Sequence, residues 1–254
     1  MNKTKQLLSR LKEIGHALSK RTSALALIGL GSVGIELDRL DEYSDLDFFA
    51  IVKEDSKTDY LENLDWLSDI TPIAYAFQNT VDGYKVLYED GIFCEFAVFD
   101  EKELETAIFS PGRIIWKAKG VDENIRIPKR KQDKQDPHST EWLLGEALTN
   151  LYVGLSREKR GEKLSALRFI QSYAVDRCLE LATRKAYQNP ALKDEFSFER
   201  RYEQQYPNTA KHLPNFLLGY EKNVESAQAI LNFLDERFEV NPAMKTAILN
   251  LCQP

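Results

Sequence analysis

An α+β fold is predicted for this 254-residue chain: an N-terminal mixed sheet flanked by helices, followed by an all-α helical bundle. Three observations predict it. Short apolar runs alternate with Gly- and Asp-containing turns as far as residue 118, the pattern of strands and hairpins. From Ser139 onward the apolar residues recur at helical spacing instead. Between the two lies a charged stretch, 119–138, with almost no apolar periodicity. The expected division is therefore 1–120 for the sheet domain, 121–138 for a linker and 139–254 for the helical domain.

Leu7, Leu8, Leu11, Ile14 and Leu18 mark an amphipathic helix over 4–20. "ALALIGL" (24–30) and "LDFFAIV" (46–52) are apolar runs suited to buried strands, and 58–70 carries a helical stripe through Tyr60, Leu61, Leu64 and Leu67. Three further strands, 73–79, 84–90 and 92–99, are set apart by Asp82-Gly83 and Asp90-Gly91, strong hairpin signals. A helix over 101–109 and a strand "RIIWKA" close the first half. In the second half Ser139 or Thr140 caps a helix whose Leu143, Ala147, Leu151 and Leu155 share a face. Further helical patterns over 160–187, 195–206, 209–219, 222–237 and 241–251 are divided by Pro207, Pro214, Gly219 and Pro242.

Composition narrows the function. A net charge of −6 argues against nucleic acid as the main partner, since phosphate-backbone affinity is built from clustered Lys and Arg. Cys94, Cys178 and Cys252 lie far apart, without zinc spacing, and suit free thiols in a reducing compartment. The N-terminus lacks the apolar core of a signal peptide, and no segment approaches ~18 unbroken apolar residues, so no membrane association is expected. The expectation is a cytoplasmic protein.

The stretch Gly29-Leu30-Gly31-Ser32-Val33-Gly34 satisfies the GxGxxG pattern of a dinucleotide turn. The context does not. The next acids, Asp45 and Asp47, open the following strand rather than ending it, and after Val52 hairpins replace the expected βα alternation. The carboxylates make better sense as a pair. On a strand Asp45 and Asp47 project to the same side about 6–7 Å apart, where they repel each other unless a cation lies between them. Such a pair can hold one Mg²⁺, or share two ions about 3.5–4 Å apart. Gly31-Ser32, at the end of the preceding strand, allows close backbone approach to a phosphate. Glu95, the one charge in "IFCEFAVF", is the candidate third carboxylate, because a charge in such a strand needs a partner.

Gly31-Ser32, an eleven-residue gap, Ser44-Asp45-Leu46-Asp47 and the later Glu95 resemble the nucleotidyltransferase superfamily, which has a DNA polymerase β-like fold. The helical half, through "WLLGEALTNLYVGLSREKRGEKLSALRFI", looks like the two-domain lincosamide and aminoglycoside nucleotidyltransferases. The gap between Ser32 and Ser44 is longer than the commonest spacing in the family, a departure that bears on the phosphate loop. The resemblance implies a nucleotidyltransferase-like domain over 1–120 and a helical acceptor-binding domain over 139–254. It implies an NTP co-substrate, with ATP the first choice, and Mg²⁺ held by Asp45, Asp47 and Glu95, with Glu95 as metal ligand or as general base. Gly31, Ser32 and Ser44 would contact the nucleotide, Arg39 would neutralise phosphate charge, and Glu162, Lys163 and Arg168 are among the candidates for an acceptor pocket between the halves. The implied partners are the nucleotide and a small-molecule hydroxyl acceptor, an antibiotic in the resistance enzymes, and a homodimer is admitted. Two alternatives stand beside this: transfer to a tRNA or a protein, as in toxin-type members, and an inactive nucleotide-binding regulator.

Overall fold

Leu7, Leu11, Ile14 and Leu18 are fully buried on one side of α1 (Lys3–Ser19), whose cap Asn2 accepts a hydrogen bond from the Thr4 N–H. The computed structural model describes residues 2–130, 138–184 and 197–253, and the chain forms two compact units, 1–134 and 135–254.

In the first unit the apolar runs become β1 (Ala24–Gly29) and β2 (Leu46–Val52). The helix expected over 58–70 is two short ones, α2 (Lys57–Glu62) and α3 (Asp65–Ser68). Asn63 breaks it: its backbone turns extended and its side chain accepts from the Asp65 N–H, competing with the helical pattern and starting a new turn. β3 (Ile73–Thr80), β4 (Gly83–Tyr88) and β5 (Phe93–Asp100) follow as the Asp-Gly turns predict. Asp100 and Glu103 form a reciprocal capping box that starts α4 (Glu101–Thr106), and β6 (Arg113–Lys117) completes the unit's strands.

The six strands form one sheet in the order β3-β4-β5-β2-β1-β6. All neighbours are antiparallel except β2 and β5, which run parallel at its centre. Alternation gives the sheet two different faces. Phe48, Ala50, Val52, Phe96 and Val98 turn to the larger core with α1 and Trp66. There the Phe48 and Phe96 rings stack at 5.3 Å, with the Trp66 indole edge-on to Phe96 at 5.2 Å. Ala26, Ile28 and Ile51 turn the other way, to a smaller cluster with Leu104 and Phe109. Val121 and Ile125 also pack on that cluster, and Gly112 N–H donates to Arg126 O, so the sheet unit continues past residue 120. Part of the segment read as a linker, 131–137, lies outside the described residues.

The second unit is helical: α5 (Thr140–Lys159), α6 (Lys163–Leu167), a π-helical stretch (Arg168–Ala174), α7 (Val175–Thr183), α8 (Tyr202–Gln205), α9 (Pro207–Ala210), α10 (Leu213–Phe216), α11 (Asn223–Asp235) and α12 (Pro242–Cys252). Ser139 caps α5 by accepting from the Trp142 N–H. Leu143, Leu151 and Leu155 of α5 share one core with Ile170, Cys178, Ile230 and Ile248. In place of one helix over 209–219 there are two short ones, α9 starting earlier at Pro207 and α10 carrying Pro214 in its first turn, and the end of the 160–187 pattern and the start of the 195–206 pattern lie outside the described residues. The three cysteines are buried free thiols, and burial pushes those of Cys94 and Cys178 up to about 12. Among the described residues no helix is long and apolar enough to cross a membrane.

Candidate active site

β1 ends at Gly29, and Leu30 N–H still donates to Asp47 O at 2.8 Å, so the turn that follows is anchored to β2. At Gly31 the backbone takes a positive φ of 50° and enters a short 3-10 turn, Gly31–Val33. The turn then folds back on the strand end. A Cβ at Gly34 would lie 2.8 Å from Gly29 O and 2.8 Å from Leu30 C, and one at Gly29 would lie 2.7 Å from Val33 O. The GxGxxG pattern is thus a packing requirement: two glycines let backbone touch backbone, and the middle one supplies the left-handed turn. That middle glycine lies beside Asp47, since a Cβ on Gly31 would stand 3.5 Å from Asp47 Oδ2. As the first N–H groups of the turn, those of Gly31 and Ser32 have no acceptor within it.

Arg113, at the start of β6, holds the other side of this turn. Its Nη2 donates to Val33 O at 2.8 Å, and its Nε to Val33 O and Gly34 O at 3.2 and 3.1 Å. Burial lowers its pKa, yet an arginine stays charged in any physiological range, so a guanidinium sits against the turn. Sequence reasoning missed it. Its one signal was a charge opening the apolar strand "RIIWKA".

The parallel register sets Asp47 directly beside Glu95, and the antiparallel register sets Glu95 beside Lys85 of β4. Asp45 lies just before β2, half-buried like Asp47. Burial is the main cause of the raised Cys94 pKa, and the charges of Asp47 and Asp45 add to it. Glu95 is held away from them. Its Oε2 is 3.3 Å from Lys85 Nζ, and its Oε1 accepts from Asn79 Nδ2 at 2.9 Å. The Asn79 Oδ1 atom is buried with no hydrogen-bond partner.

Of the expected three-carboxylate group, Asp45 lies just before β2 and Asp47 within it, while Glu95 is paired with Lys85 and Asn79. Among the described residues no three His, Cys, Asp or Glu side chains are gathered to hold a metal ion. Register brings the Asp47 and Glu95 backbones together, but the Lys85 ammonium and the Asn79 amide draw the Glu95 carboxylate toward β4 and β3. The donor chemistry of Asp45 and Asp47 still suits a hard cation, because Mg²⁺ commonly takes one or two carboxylates plus substrate phosphates. Removing the Lys85 charge tests this balance. Lys85→Ala is expected to leave Asp47 and Glu95 as neighbouring anions, and millimolar Mg²⁺ should then raise its melting temperature more than that of the unchanged protein. Equal shifts in a thermal melt would show that the pair does not respond to a cation.

Two other expected site residues are occupied within their own loop. Arg39 is ion-paired with Glu36, one 3-10 turn earlier, rather than presented to a nucleotide. Ser44 Oγ donates to Asp41 Oδ1 and accepts from Asp41 N–H, both at 3.0 Å, closing the turn that delivers Asp45 into β2. Ser32 remains half-buried in the glycine turn.

No known family model matches the sequence, and no curated protein does. Similar solved structures include an aminoglycoside 6-adenyltransferase from Bacillus subtilis, 13% identical, with 99% of this chain and 92% of that one covered at a TM-score of 0.35. A STING-associated CdnE c-di-GMP synthase from Capnocytophaga granulosa is 13% identical, with 98% and 78% covered at a TM-score of 0.31. A nucleotidyltransferase-like protein from Exiguobacterium sibiricum 255-15 is 11% identical, with 92% and 74% covered at a TM-score of 0.30.

Proposed function

We propose that this chain is a divalent-cation-dependent nucleotidyltransferase that moves a nucleoside monophosphate from an NTP, ATP first, to a hydroxyl of a small molecule and releases pyrophosphate. One observation carries the reading: the β2–β5 register that sets Asp47 beside Glu95, against the Gly31 turn. A glycine turn beside Asp47 suits a substrate that is an anion at one end and needs a cation at the other.

In this reading Asp45 and Asp47 supply the oxygen donors. A bound Mg²⁺ would contribute neutralisation of the triphosphate. The Gly31 and Ser32 amides, backed by Arg113, bind phosphate oxygens and stabilise the departing pyrophosphate. The acceptor oxygen attacks the α-phosphorus, the bond to the pyrophosphate breaks, and Glu95 takes the acceptor proton once its carboxylate leaves Lys85. Lincosamides and aminoglycosides, from the sequence resemblance, are the first acceptors to try. The inactive-regulator reading has one observation in its favour, the Lys85–Glu95 ion pair, which neutralises the third carboxylate.

The test is incubation with labelled ATP, Mg²⁺ and a panel of both antibiotic classes, read by mass spectrometry. A gain of one AMP on an acceptor supports transfer. ATP binding without any transfer or pyrophosphate release across a broad set of hydroxyl compounds favours the regulator.

A further inference from the structure

A surface cavity of about 900 Å³ opens on the sheet unit between α1 and residues 69–71, a volume within the range of small-molecule sites. It belongs to the side of the sheet away from the carboxylates. α1 and Trp66 pack on the face that carries Phe48 and Phe96, whereas Asp47 and Glu95, each one residue earlier, project to the opposite face.

One residue of the wall is an arginine withdrawn from water. Arg10 is 6% exposed. Its Nε donates to Glu13 Oε2 at 3.1 Å, and its Nη2 donates to Thr71 Oγ1 at 2.8 Å and to Asp90 Oδ2 at 2.7 Å. Its Nη1 is buried with no hydrogen-bond partner. The guanidinium lies 4.4 Å from the centroid of the Tyr88 ring, and the Tyr88 hydroxyl is likewise buried without a partner. An arginine can only donate, so what Nη1 lacks is an acceptor, and leaving it unmet is costly.

The rest of the wall is cationic. Lys12, His16 and Lys20 fall four residues apart, so they rise one turn above another along α1, about 6 Å per step. Neither lysine has an ion-pair partner among the described residues. Nearby acids do not balance them. Glu13 is engaged by Ser9, whose Oγ donates to it at 2.9 Å, as well as by Arg10, and Asp65 is paired with Arg21. Of the wall's acids, that leaves Asp69 against two ammonium groups. The helix dipole accounts for a cation in the last turn of α1, but not for Lys12 one turn before it.

We propose that this cavity binds a small polyanion carrying two or more phosphate groups, one of them accepting from Arg10 Nη1 and the others held along Lys12, His16 and Lys20. A cationic row about 12 Å long suits charge spread over several groups better than a single anion. The proposal does not require that the chain transfer nucleotides.

The probes are inorganic pyrophosphate and tripolyphosphate, for a free oligophosphate, and fructose 1,6-bisphosphate, for a phosphorylated metabolite. Each is titrated into the full-length chain at low salt with a chelator present, and binding is read from the ring resonances of the three histidines by NMR. His16 is the histidine of this wall, and His16→Gln assigns its signal. At least one probe is expected to shift the His16 signal saturably, with sulfate at matched ionic strength at least about tenfold weaker. Lys12→Ala/Lys20→Ala, two exposed helix positions where alanine keeps the fold, should weaken that probe at least about tenfold, and Lys12→Arg/Lys20→Arg should bind within about threefold of the original. Asp45→Asn/Asp47→Asn should bind it as the original does. The proposal is overturned if no probe shifts His16 saturably, or if sulfate acts equally, which would be screening alone. It is also overturned if the alanine pair leaves the midpoint unchanged, or if the aspartate pair abolishes binding, which would place the anion at the carboxylates.

Discussion

Converting Asp45 and Asp47 together to asparagine is expected to lower nucleotidyl transfer by roughly a thousandfold or more, the kinetic equivalent of several kcal/mol of lost charge stabilisation. Shape is kept, since asparagine matches aspartate in volume, and two like charges are removed, one just before β2 and one within it. The fold should therefore persist, with a melting temperature within a few degrees of the unchanged protein. The second readout needs no acceptor. In the unchanged chain ATP with Mg²⁺ should raise the melting temperature more than ATP with a chelator, and the double variant should lose that difference. A variant that ATP and Mg²⁺ protect as well as the original would remove these aspartates from any cation-dependent chemistry.

Gly34→Ala has the second large expected effect, on stability. The added carbon would meet backbone on three sides, Gly29 O at 2.8 Å, Leu30 C at 2.8 Å and Leu30 Cα at 2.9 Å, and no flexible side chain is there to yield. Overpacking of this kind costs about 1–3 kcal/mol, so a loss of several degrees in melting temperature is expected. The return of the Gly31–Gly34 turn onto β1 must open, which also displaces the carbonyls that Arg113 grips. Gly145→Ala is the internal control. That glycine lies within α5 with nothing within 4 Å of an added Cβ, so alanine there should be neutral or stabilise by up to about 1 kcal/mol. Equal destabilisation by both changes would refute the packing account of the glycine turn.

Where elements are built from local signals, the sequence reading and the structure coincide. The Asp-Gly turns separate β3, β4 and β5, and Ser139 starts α5, because each signal acts within a few residues. What depends on pairing between distant segments was not legible. Glu95 was recognisable as a strand charge in need of a partner, but only the register shows that partner to be Lys85, with Asn79 beside it. Arg113 reads as an ordinary strand charge until β6 is laid against β1 and the glycine turn comes within its reach. Arg39 and Ser44 are engaged locally, by Glu36 and Asp41, each three residues away. The π-helical stretch has no sequence signal, since Ile170 and Ala174 keep a helical burial pattern through it.

The strand order also governs how the chain can be made. β1 borders both β2 and β6, so while the ribosome travels from Val52 to Lys117 the outer border of β1 has no neighbour, and β2 waits for β5 on its far side. At usual elongation rates that interval lasts on the order of several seconds. Translational pauses placed there would prolong the aggregation-prone stage of the nascent polypeptide, whereas pauses after β6 would spare it.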